Sequence, residues 1–551
     1  MIIMRIMKQQ IFSVLCLVFA LPALATNVQV SNVSQVNVDA GNHRIEFDLT
    51  WEDSWRLDSY EPYNYDGVWV FIKYRDCLEK AGGNPGNYKH AWLSTTAADH
   101  TIASATVDGS PVSLVVEPGL TNISGTDRAL GLFIHQPAGD VIGDISALTV
   151  SVLWKTGDHS PAEDASVSNY DIQVNALEMV YIPTESFYLG DGTSRYRFSD
   201  PDNGNSPVLI NAAVMNIEAL NTWFYQLRTN SGSPNIANTF PNGYEAFWTM
   251  KYEISQEQYL QFLNTLSRPV QDARTATNLD ASQTSVTNTF VMYNSSTIDA
   301  RNGISVETSI PSGGEPLRFK MDYNGNRVYN ENDDGANIAC NYISGYDVLA
   351  YLDWAALRPL TELEFEKMAR GPHPLPFGYT EQKAWGTAVI TEVTGIINPG
   401  MPNEQAANSG NGICVYNNNP SVGGPLRCGF AATPATTDRY SCGASYYGVY
   451  ELSGNVSEPC MSFAWDITHD DAFDGTSGDG LISATGNATQ AGWPQGADGT
   501  ADGNDYLIYR GGSFESTNVN YYINISSRQR DDADATRNDF GGGRGGRYVS
   551  K

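Results

Sequence analysis

The first part of the chain alternates between apolar and polar residues with a period of two. In "HRIEFDLTW" (43–51) the apolar positions that would form one buried face are Ile45, Phe47, Leu49 and Trp51. The same alternation recurs in "ALTVSVLWK" (147–155), at Leu148, Val150, Val152 and Trp154. The segment "GVWVFIKY" (67–74) is a more continuous apolar run, typical of a central strand. With turn-forming clusters between the runs, the pattern predicts an immunoglobulin-like β-sandwich over residues 26–176.

A helical period replaces this alternation only after residue 250. Three amphipathic segments are predicted as helices: "SQEQYLQFLNTL" (255–266), "GYDVLAYLDWAAL" (345–357) and "TELEFEKMARG" (361–371). Two of them begin with capping boxes, Ser255 with Gln258 and Thr361 with Glu364. After residue 371 the periodicity largely disappears into Gly-, Asn- and Asp-rich sequence. The pattern predicts an α+β domain over residues 177–551, with long loops and little regular secondary structure.

The start of the chain carries an export signal. Arg5 and Lys8 precede the apolar run Ile11–Leu24, which ends at an Ala-Leu-Ala motif. The run is too short to span a bilayer, which needs about 20 residues. We therefore expect residues 1–25 to be a signal peptide and the mature protein to be secreted or bound at the cell surface, without a transmembrane segment.

The excess of acidic residues argues against one class of partner, nucleic acid. The chain has 62 acidic against 33 basic residues and a formal net charge of −29. Such a surface repels nucleic-acid phosphates, so nucleic acid is not an expected partner. Six cysteines follow the signal peptide, and Cys414 and Cys428 could close one loop, although the pairing stays open. The six are Cys77, Cys340, Cys414, Cys428, Cys442 and Cys460.

Five segments, in order along residues 178–551, resemble motifs of the sulfatase-modifying-factor family, whose named member is the formylglycine-generating enzyme. They are "EMVYIPTESFYLGD" (178–191), "FWTMKYEISQEQYLQFL" (247–263), "LRPLTELEFEKMARG" (357–371), "GVYELSGNVSEPC" (448–460) and "YRGGSF" (509–514). The resemblance implies a C-type-lectin-like fold for this part of the chain.

The resemblance also implies a structural calcium site in the loop around residues 451–458. The matching positions are Glu451, the carbonyls of Gly454 and Val456, and Glu458, with Asn455 shaping the loop. Such oxygen ligands suit a hard cation. Ser457 and Pro459 stand where the family usually has aromatic residues. Two other oxygen-rich turns, "DYNGN" (322–326) and "NENDDG" (330–335), we interpret as ordinary solvated loops.

The copper site of the catalytic relatives is not expected here. The resemblance places two copper-binding cysteines in a "CxxxxCAAR" pattern, and aligning its arginine with Arg528 puts Asn520 and Ile525 at the cysteine positions. No cysteine follows Cys460 in the sequence. Copper(I) requires soft thiolates, which an amide and an alkyl group cannot replace. We therefore predict no catalytic residues, and the sequence favours a protein that is not an enzyme.

The sequence favours an exported, non-catalytic module for binding or cell-surface assembly, stabilised by calcium and open to self-assembly. Its expected ligand is an extracellular protein or a carbohydrate. The candidate surface consists of Phe514, Asn520, Tyr521, Tyr522, Asn524, Arg528 and Arg530. Buried packing of the terminal strand is the competing interpretation for this surface, especially for Phe514 and Tyr522. Two functional alternatives stay open: a metal-dependent oxidoreductase with an atypical site, and a ligand-binding protein diversified in its loops at 514–541.

Overall fold

Within the residues that it describes, a computed structural model of the protein contains 24 strands and six α-helices. It describes residues 28–76, 87–159, 170–194, 197–198, 206–212, 239–372, 382–433, 436, 438–462, 473–494, 507–528 and 535–549. The predicted signal peptide and Cys77 lie outside these ranges.

The strands are β1 Gln29–Asp39, β2 Asn42–Arg56, β3 Asp66–Asp76, β4 Lys89–His90, β5 Thr101–Ala103, β6 Thr106–Val107, β7 Ser110–Pro111, β8 Val115–Ile123, β9 Thr126–His135, β10 Val141–Trp154, β11 Tyr170–Ile182, β12 Phe187–Leu189, β13 Val208–Ile210, β14 Phe247–Met250, β15 Ile304–Ser305, β16 Lys320–Met321, β17 Arg358–Pro359, β18 Thr391–Glu392, β19 Ile396–Ile397, β20 Gln405–Ala406, β21 Ile413–Cys414, β22 Glu458–Met461, β23 Leu507–Arg510 and β24 Gly545–Tyr548. The helices are α1 Gln256–Leu263, α2 Arg268–Ala273, α3 Gly345–Trp354, α4 Glu362–Arg370, α5 Arg439–Cys442 and α6 Val519–Tyr522.

Two antiparallel sheets form the predicted sandwich. The first has the strand order β1-β2-β10-β6-β7, with β5 also paired to β10, and the second has the order β17-β24-β14-β11-β3-β9-β8, with β4 paired to β3. The inward positions predicted on β2 are all buried, and so are Val150, Val152 and Trp154 of β10. The side chain of Leu148 lies outside the described set. A register shift between Ala147 and Val150 turns Ala147 inward as well.

Strand β3 is buried on both faces, which explains its continuous apolar run. Val68 and Val70 pack into the core between the two sheets. Trp69 and Phe71 point the other way, into a second core that also contains Phe262 of α1. A strand covered on both faces has no position that favours a polar residue, so the alternation of period two is lost.

The division predicted at residues 176–177 falls inside a single strand. β11 pairs with β3 from Tyr170 to Val180 and with β14 from Met179 to Ile182. β14 in turn pairs with β24, close to the end of the described chain. The sandwich and the second part therefore share one continuous sheet, because β11 belongs to both.

Side chains also cross between the two parts. The indole nitrogen of Trp69 donates to the Ala355 carbonyl at 3.0 Å, and the ammonium of Lys73 donates to the Gly480 carbonyl at 2.7 Å. Lys251 forms buried ion pairs with Asp66 at 3.2 Å and Glu178 at 3.0 Å. A buried charge is tolerated only when it is paired, so these contacts fix the two parts against each other.

The helical predictions are confirmed in the second part. Ser255 caps α1 and Thr361 caps α4, each through the reciprocal bonds of a capping box. α3 ends at Trp354, three residues earlier than the periodicity indicated. Gly371 ends α4 with a φ of 81°, a conformation that favours glycine. Among the residues described, no helix is long and apolar enough to cross a membrane.

Candidate functional site

The segment 510–528 is anchored by arginines that point inward onto helix α4. Arg510 bridges Glu362 and Glu366, with both distances at 2.9 Å. Arg528 donates twice to the carboxylate of Glu362, at 2.8 Å each. Burial opposes ionisation of Glu362, but the guanidinium groups of Arg528 and Arg510 outweigh it and hold the pKa of that carboxyl below its ordinary value. These arginines form a structural ionic network with the helix.

The candidate binding residues of this segment divide into a buried and an exposed group. Phe514 and Asn524 are buried, so the prediction that they form part of an exposed surface is wrong. The Asn524 amide donates to Ser194 Oγ and to the Asn520 carbonyl, both at 3.1 Å. Packing of the segment against the domain core is the physical reason, as the competing interpretation had it for Phe514.

Helix α6 presents what remains of the predicted surface. Asn520 is exposed, Tyr521 is 44% exposed, and Tyr522 is half-buried against the core. Arg528 is partly buried because of its ion pair and its position 4.3 Å from the centre of the Phe198 ring. Arg530 lies outside the described residues.

The two positions aligned with the copper cysteines lie in different surroundings. Asn520 is on the surface of α6, whereas Ile525 is fully buried in an apolar cluster with Ile523 and Phe365. An aliphatic residue that fills a core cannot be exchanged for a metal ligand without repacking. Neither position offers a thiolate.

The five described cysteines are all buried, and burial raises the pKa of each thiol: Cys340, Cys414, Cys428, Cys442 and Cys460. The loop-closing disulfide between Cys414 and Cys428 is not formed. Their thiols instead donate to the carbonyls of Ser453 at 2.9 Å and Glu253 at 3.3 Å. Protonated, buried thiols are poor nucleophiles and poor metal ligands.

Glu458, one of the two carboxylates of the loop 451–458 that are expected to bind calcium, is paired with an arginine from another part of the chain. The buried guanidinium of Arg544 contacts both carboxylate oxygens of Glu458, at 2.8–3.1 Å. Arg544 also donates to the carbonyls of Met250 at 2.9 Å and Tyr450 at 2.6 Å. With both oxygens of Glu458 bound to a guanidinium, the residues in this arrangement do not fit a calcium ion.

Two further glutamates surround this arginine. Glu451 accepts from the Gly429 amide at 2.9 Å, and its other oxygen, Oε2, is buried without a hydrogen-bond partner. Glu253 accepts from the Asn455 amide at 2.6 Å and from the Val456 backbone at 3.1 Å. Sequence reasoning missed Glu253, since it lies about 200 residues before the loop.

Burial dominates the titration of this cluster. Burial raises the pKa of Glu451 to about 8, even though the neighbouring Arg544 opposes the shift. Burial, reinforced by the charges of Glu451 and Glu458, raises the pKa of Glu253 well above its ordinary value. The cluster is thus an internal charge network centred on Arg544. The carbonyls of Gly454 and Val456 belong to the same loop but carry no charge that could replace Glu458.

An open cleft of about 790 Å³ lies beside the first turn of α4. It is lined by residues of β11, of the turn before β14, and of β24. Its walls carry three tyrosines and two exposed carboxylates: Tyr181, Tyr244, Tyr548, Glu245 and Asp474. Glu364 lies at its base, where Arg358 holds the carboxylate at 2.6 Å. Aromatic faces beside hydrogen-bond acceptors are typical of a site for a small polar ligand.

Sequence reasoning missed this cleft. Its clearest signal is "FPNGYEAF" (240–247), a turn that combines aromatic residues with Pro-Asn-Gly and directly precedes a buried strand. An aromatic-rich turn at the edge of a rigid element is a feature of many ligand sites.

The comparison with known families agrees with the fold. Residues 225–542 match the FGE-sulfatase family, described as the sulfatase-modifying factor enzyme 1-like domain. The match covers more than half of the chain, so the protein belongs to this family. The resemblance seen in the sequence motifs is therefore confirmed, and with it the C-type-lectin-like fold behind a β-sandwich. No curated protein matches the chain.

Proposed function

We propose that this protein is an exported, non-catalytic member of the sulfatase-modifying-factor family that binds an extracellular ligand. The observation that carries the proposal is the environment of Ile525, which fills the apolar core at a position where a copper thiolate is needed. With Asn520 at the partner position, the segment holds no thiolate and contains no Cys, His or Lys. The rigid frame of the family is kept, while its redox chemistry is absent.

The cleft beside α4 is the ligand site in this proposal. Tyr181, Tyr244 and Tyr548 line the cleft, and an apolar sugar face can pack on such rings. One face of the Tyr181 ring is stacked on Tyr65, and the Arg358 guanidinium lies over one face of the Tyr548 ring, so a sugar would use their opposite faces. Glu245 and Asp474 accept hydrogen bonds from hydroxyl or ammonium groups. The formal charge of −29 disfavours an anionic ligand. A neutral or amine-bearing carbohydrate fits these properties best, and a basic segment of an extracellular protein is the second choice.

A glycan array tests the proposal. The wild-type protein is compared with the double variant Tyr244→Ala/Asp474→Asn, in which one ring face and one charge of the cleft are removed. We expect the double variant to lose at least about tenfold in affinity, because a few central residues usually carry most of the binding energy. Tyr521→Ala is the matched control, since it removes an exposed tyrosine on α6 and should leave binding unchanged.

Loss of binding in Tyr521→Ala but not in the cleft variant would move the ligand site to α6 and contradict the cleft. Metal analysis and a peptide-cysteine oxidation assay on the same preparations address the other half of the proposal. Stoichiometric copper or iron together with formylglycine formation would overturn the non-catalytic assignment in favour of an atypical oxidoreductase.

A further inference from the structure

A second group of oxygen ligands lies in the loop that connects β16 to α3, which contributes no residue to the lining of the cleft. The carboxylate oxygens of Glu331, Asp333 and Asp334 lie within 4.8 Å of one another. None of the ion pairs formed by the described residues joins these three carboxylates to a lysine or arginine. Three acids at this distance repel one another, so the arrangement is unfavourable unless a cation joins it.

The loop has the spacing of a twelve-residue calcium loop. In such loops the ligands come from positions 1, 3, 5, 7, 9 and 12, with position 7 contributing its backbone carbonyl. Here those positions are Asp322, Asn324, Asn326, Val328, Asn330 and Asp333. Two positions depart from the usual pattern: Arg327 replaces the glycine at position 6, and Asp333 replaces the glutamate at position 12. This spacing runs across the two turns 322–326 and 330–335, each of which by itself has the composition of a solvated loop.

The backbone follows that pattern despite the first departure. Arg327 has a φ of 67°, the left-handed conformation that the usual glycine supplies at position 6. The Asp322 Oδ1 atom accepts from the Arg327 amide at 3.1 Å, which closes the turn. The Asn324 amide donates to Asp333 at 3.1 Å, so positions 3 and 12 are adjacent.

Independent evidence for a ligand comes from buried carboxylate oxygens. Asp334 is 0% exposed, and its Oδ2 accepts from the Glu331 amide at 2.7 Å, but its Oδ1 has no hydrogen-bond partner. Asp322 is also fully buried, and its Oδ2 has no hydrogen bond, with Arg327 Nη1 at 3.5 Å as its nearest charge. A buried, unpaired polar atom in a native protein requires an explanation such as a bound ion.

We propose that residues 322–334 bind one calcium ion, with Asp322 and Asp333 at positions 1 and 12 of the loop. Glu331 at position 10 and Asp334 just after position 12 are not among the usual ligand positions and supply the other carboxylates of the cluster. Every candidate ligand atom is an oxygen, which selects hard cations over zinc or copper. The irregular, partly open loop suits the flexible coordination of calcium better than the strict octahedron of magnesium. The site is independent of the proposed ligand cleft, and it differs from the loop 451–458.

Terbium luminescence and calorimetry test the proposal on the full-length mature protein. Tyr323 and Tyr329 lie in the loop and can sensitise bound Tb³⁺, which calcium then displaces. We expect one site with a Kd of about 10⁻⁴ to 10⁻³ M for calcium, the range of extracellular modules. The double variant Asp333→Asn/Asp334→Asn should lose both signals. Asp127→Asn/Asp280→Asn, which removes the same charge from two surface turns, should keep them.

Two variants are designed to improve the site, so the test does not depend on loss of folding. Arg327→Gly restores the usual glycine and removes a nearby positive charge, and Asp333→Glu supplies a bidentate ligand at position 12. Each should tighten calcium binding by roughly threefold to tenfold. Absence of calcium binding in the wild type, or unchanged affinity in all the loop variants, would overturn the proposal. Neither result bears on the ligand cleft, whose test uses glycans.

Discussion

Glu451 shows how a buried carboxylate makes the stability of the molecule depend on pH. Its Oε2 is buried without a hydrogen bond, and the positive charges of Arg544 and Arg427 favour its ionised form less than burial disfavours it. The guanidinium of Arg544 is already committed to Glu458. The buried carboxyl of Glu451 is therefore more stable in its neutral, protonated form than as an anion.

Stability should therefore fall as the pH rises through the titration range of Glu451. Between its ordinary value of 4.5 and its folded pKa of about 8, the folded state holds a proton that the unfolded state has released. The free energy of unfolding then decreases with pH by up to about 1.4 kcal/mol per unit. We expect Glu451→Gln to reduce this slope, as measured by urea unfolding at pH 5, 6.5 and 8.5, while Glu253, whose pKa burial also raises, keeps its own contribution.

Glu307→Gln is the control for this measurement, because Glu307 is exposed and pairs only with the surface residue Lys320. Its stability should follow the wild-type curve at all three pH values. Parallel curves for Glu451→Gln and the wild type would show that Glu451 is ionised in the folded protein and would contradict the argument.

The segment 510–528 consists of a buried part, which is paired with α4, and an exposed part, which is the helix α6. β23 ends at Arg510, which belongs to the core network with α4, whereas α6 is a short surface helix. The turn that follows α6 returns inward at Asn524. The side chain of Asn524 contacts Ser194, which lies 330 residues earlier in the sequence. Adjacent residues in this segment therefore differ sharply in their effect on stability.

We expect Asn524→Ala to destabilise the protein by about 1–3 kcal/mol, because the change removes two hydrogen bonds and leaves buried groups unsatisfied. Tyr521→Ala, three residues earlier, should change stability by less than about 0.5 kcal/mol, since its side chain is largely at the surface. Urea unfolding of the two variants compares them directly. Equal effects would mean that the segment acts as a single packed unit.

The whole molecule is organised around a sheet that passes through both sequence-defined regions. Trp69 and Phe71 on one face of β3 pack with residues of α1 and α3, and the indole of Trp69 also contacts the guanidinium of Arg547 at 4.6 Å. Removal of the second region would uncover this face. A large apolar surface of this kind favours aggregation.

We expect a fragment of residues 28–176 to be insoluble or to unfold without cooperativity, although its composition resembles an independent sandwich. A second fragment, 28–182, keeps all of β11 and should fail as well, because the outer face of β3 still lacks its cover. Near-ultraviolet circular dichroism and urea unfolding beside the mature chain test this. Cooperative unfolding of 28–176 alone would establish two separate domains.

Local patterns explain the features that the sequence determined by itself. The alternation in β2, the capping boxes of α1 and α4, and the glycine that ends α4 depend on residues a few positions apart. The family motifs and the missing thiols at positions 520 and 525 are also direct properties of the sequence. These predictions needed no knowledge of distant contacts.

Tertiary structure alone decided which charges meet and which side chains are buried. Arg544 reaches Glu458 across 86 residues, and Asn524 reaches Ser194 across 330. No periodicity records such pairings, because they depend on how loops from separate elements converge. The same holds for the loop 322–334: its spacing is written in the sequence, but only the fold buries the oxygens of Asp322 and Asp334 and leaves them without hydrogen bonds. Burial changes the energy of a polar group far more than its neighbours in sequence do.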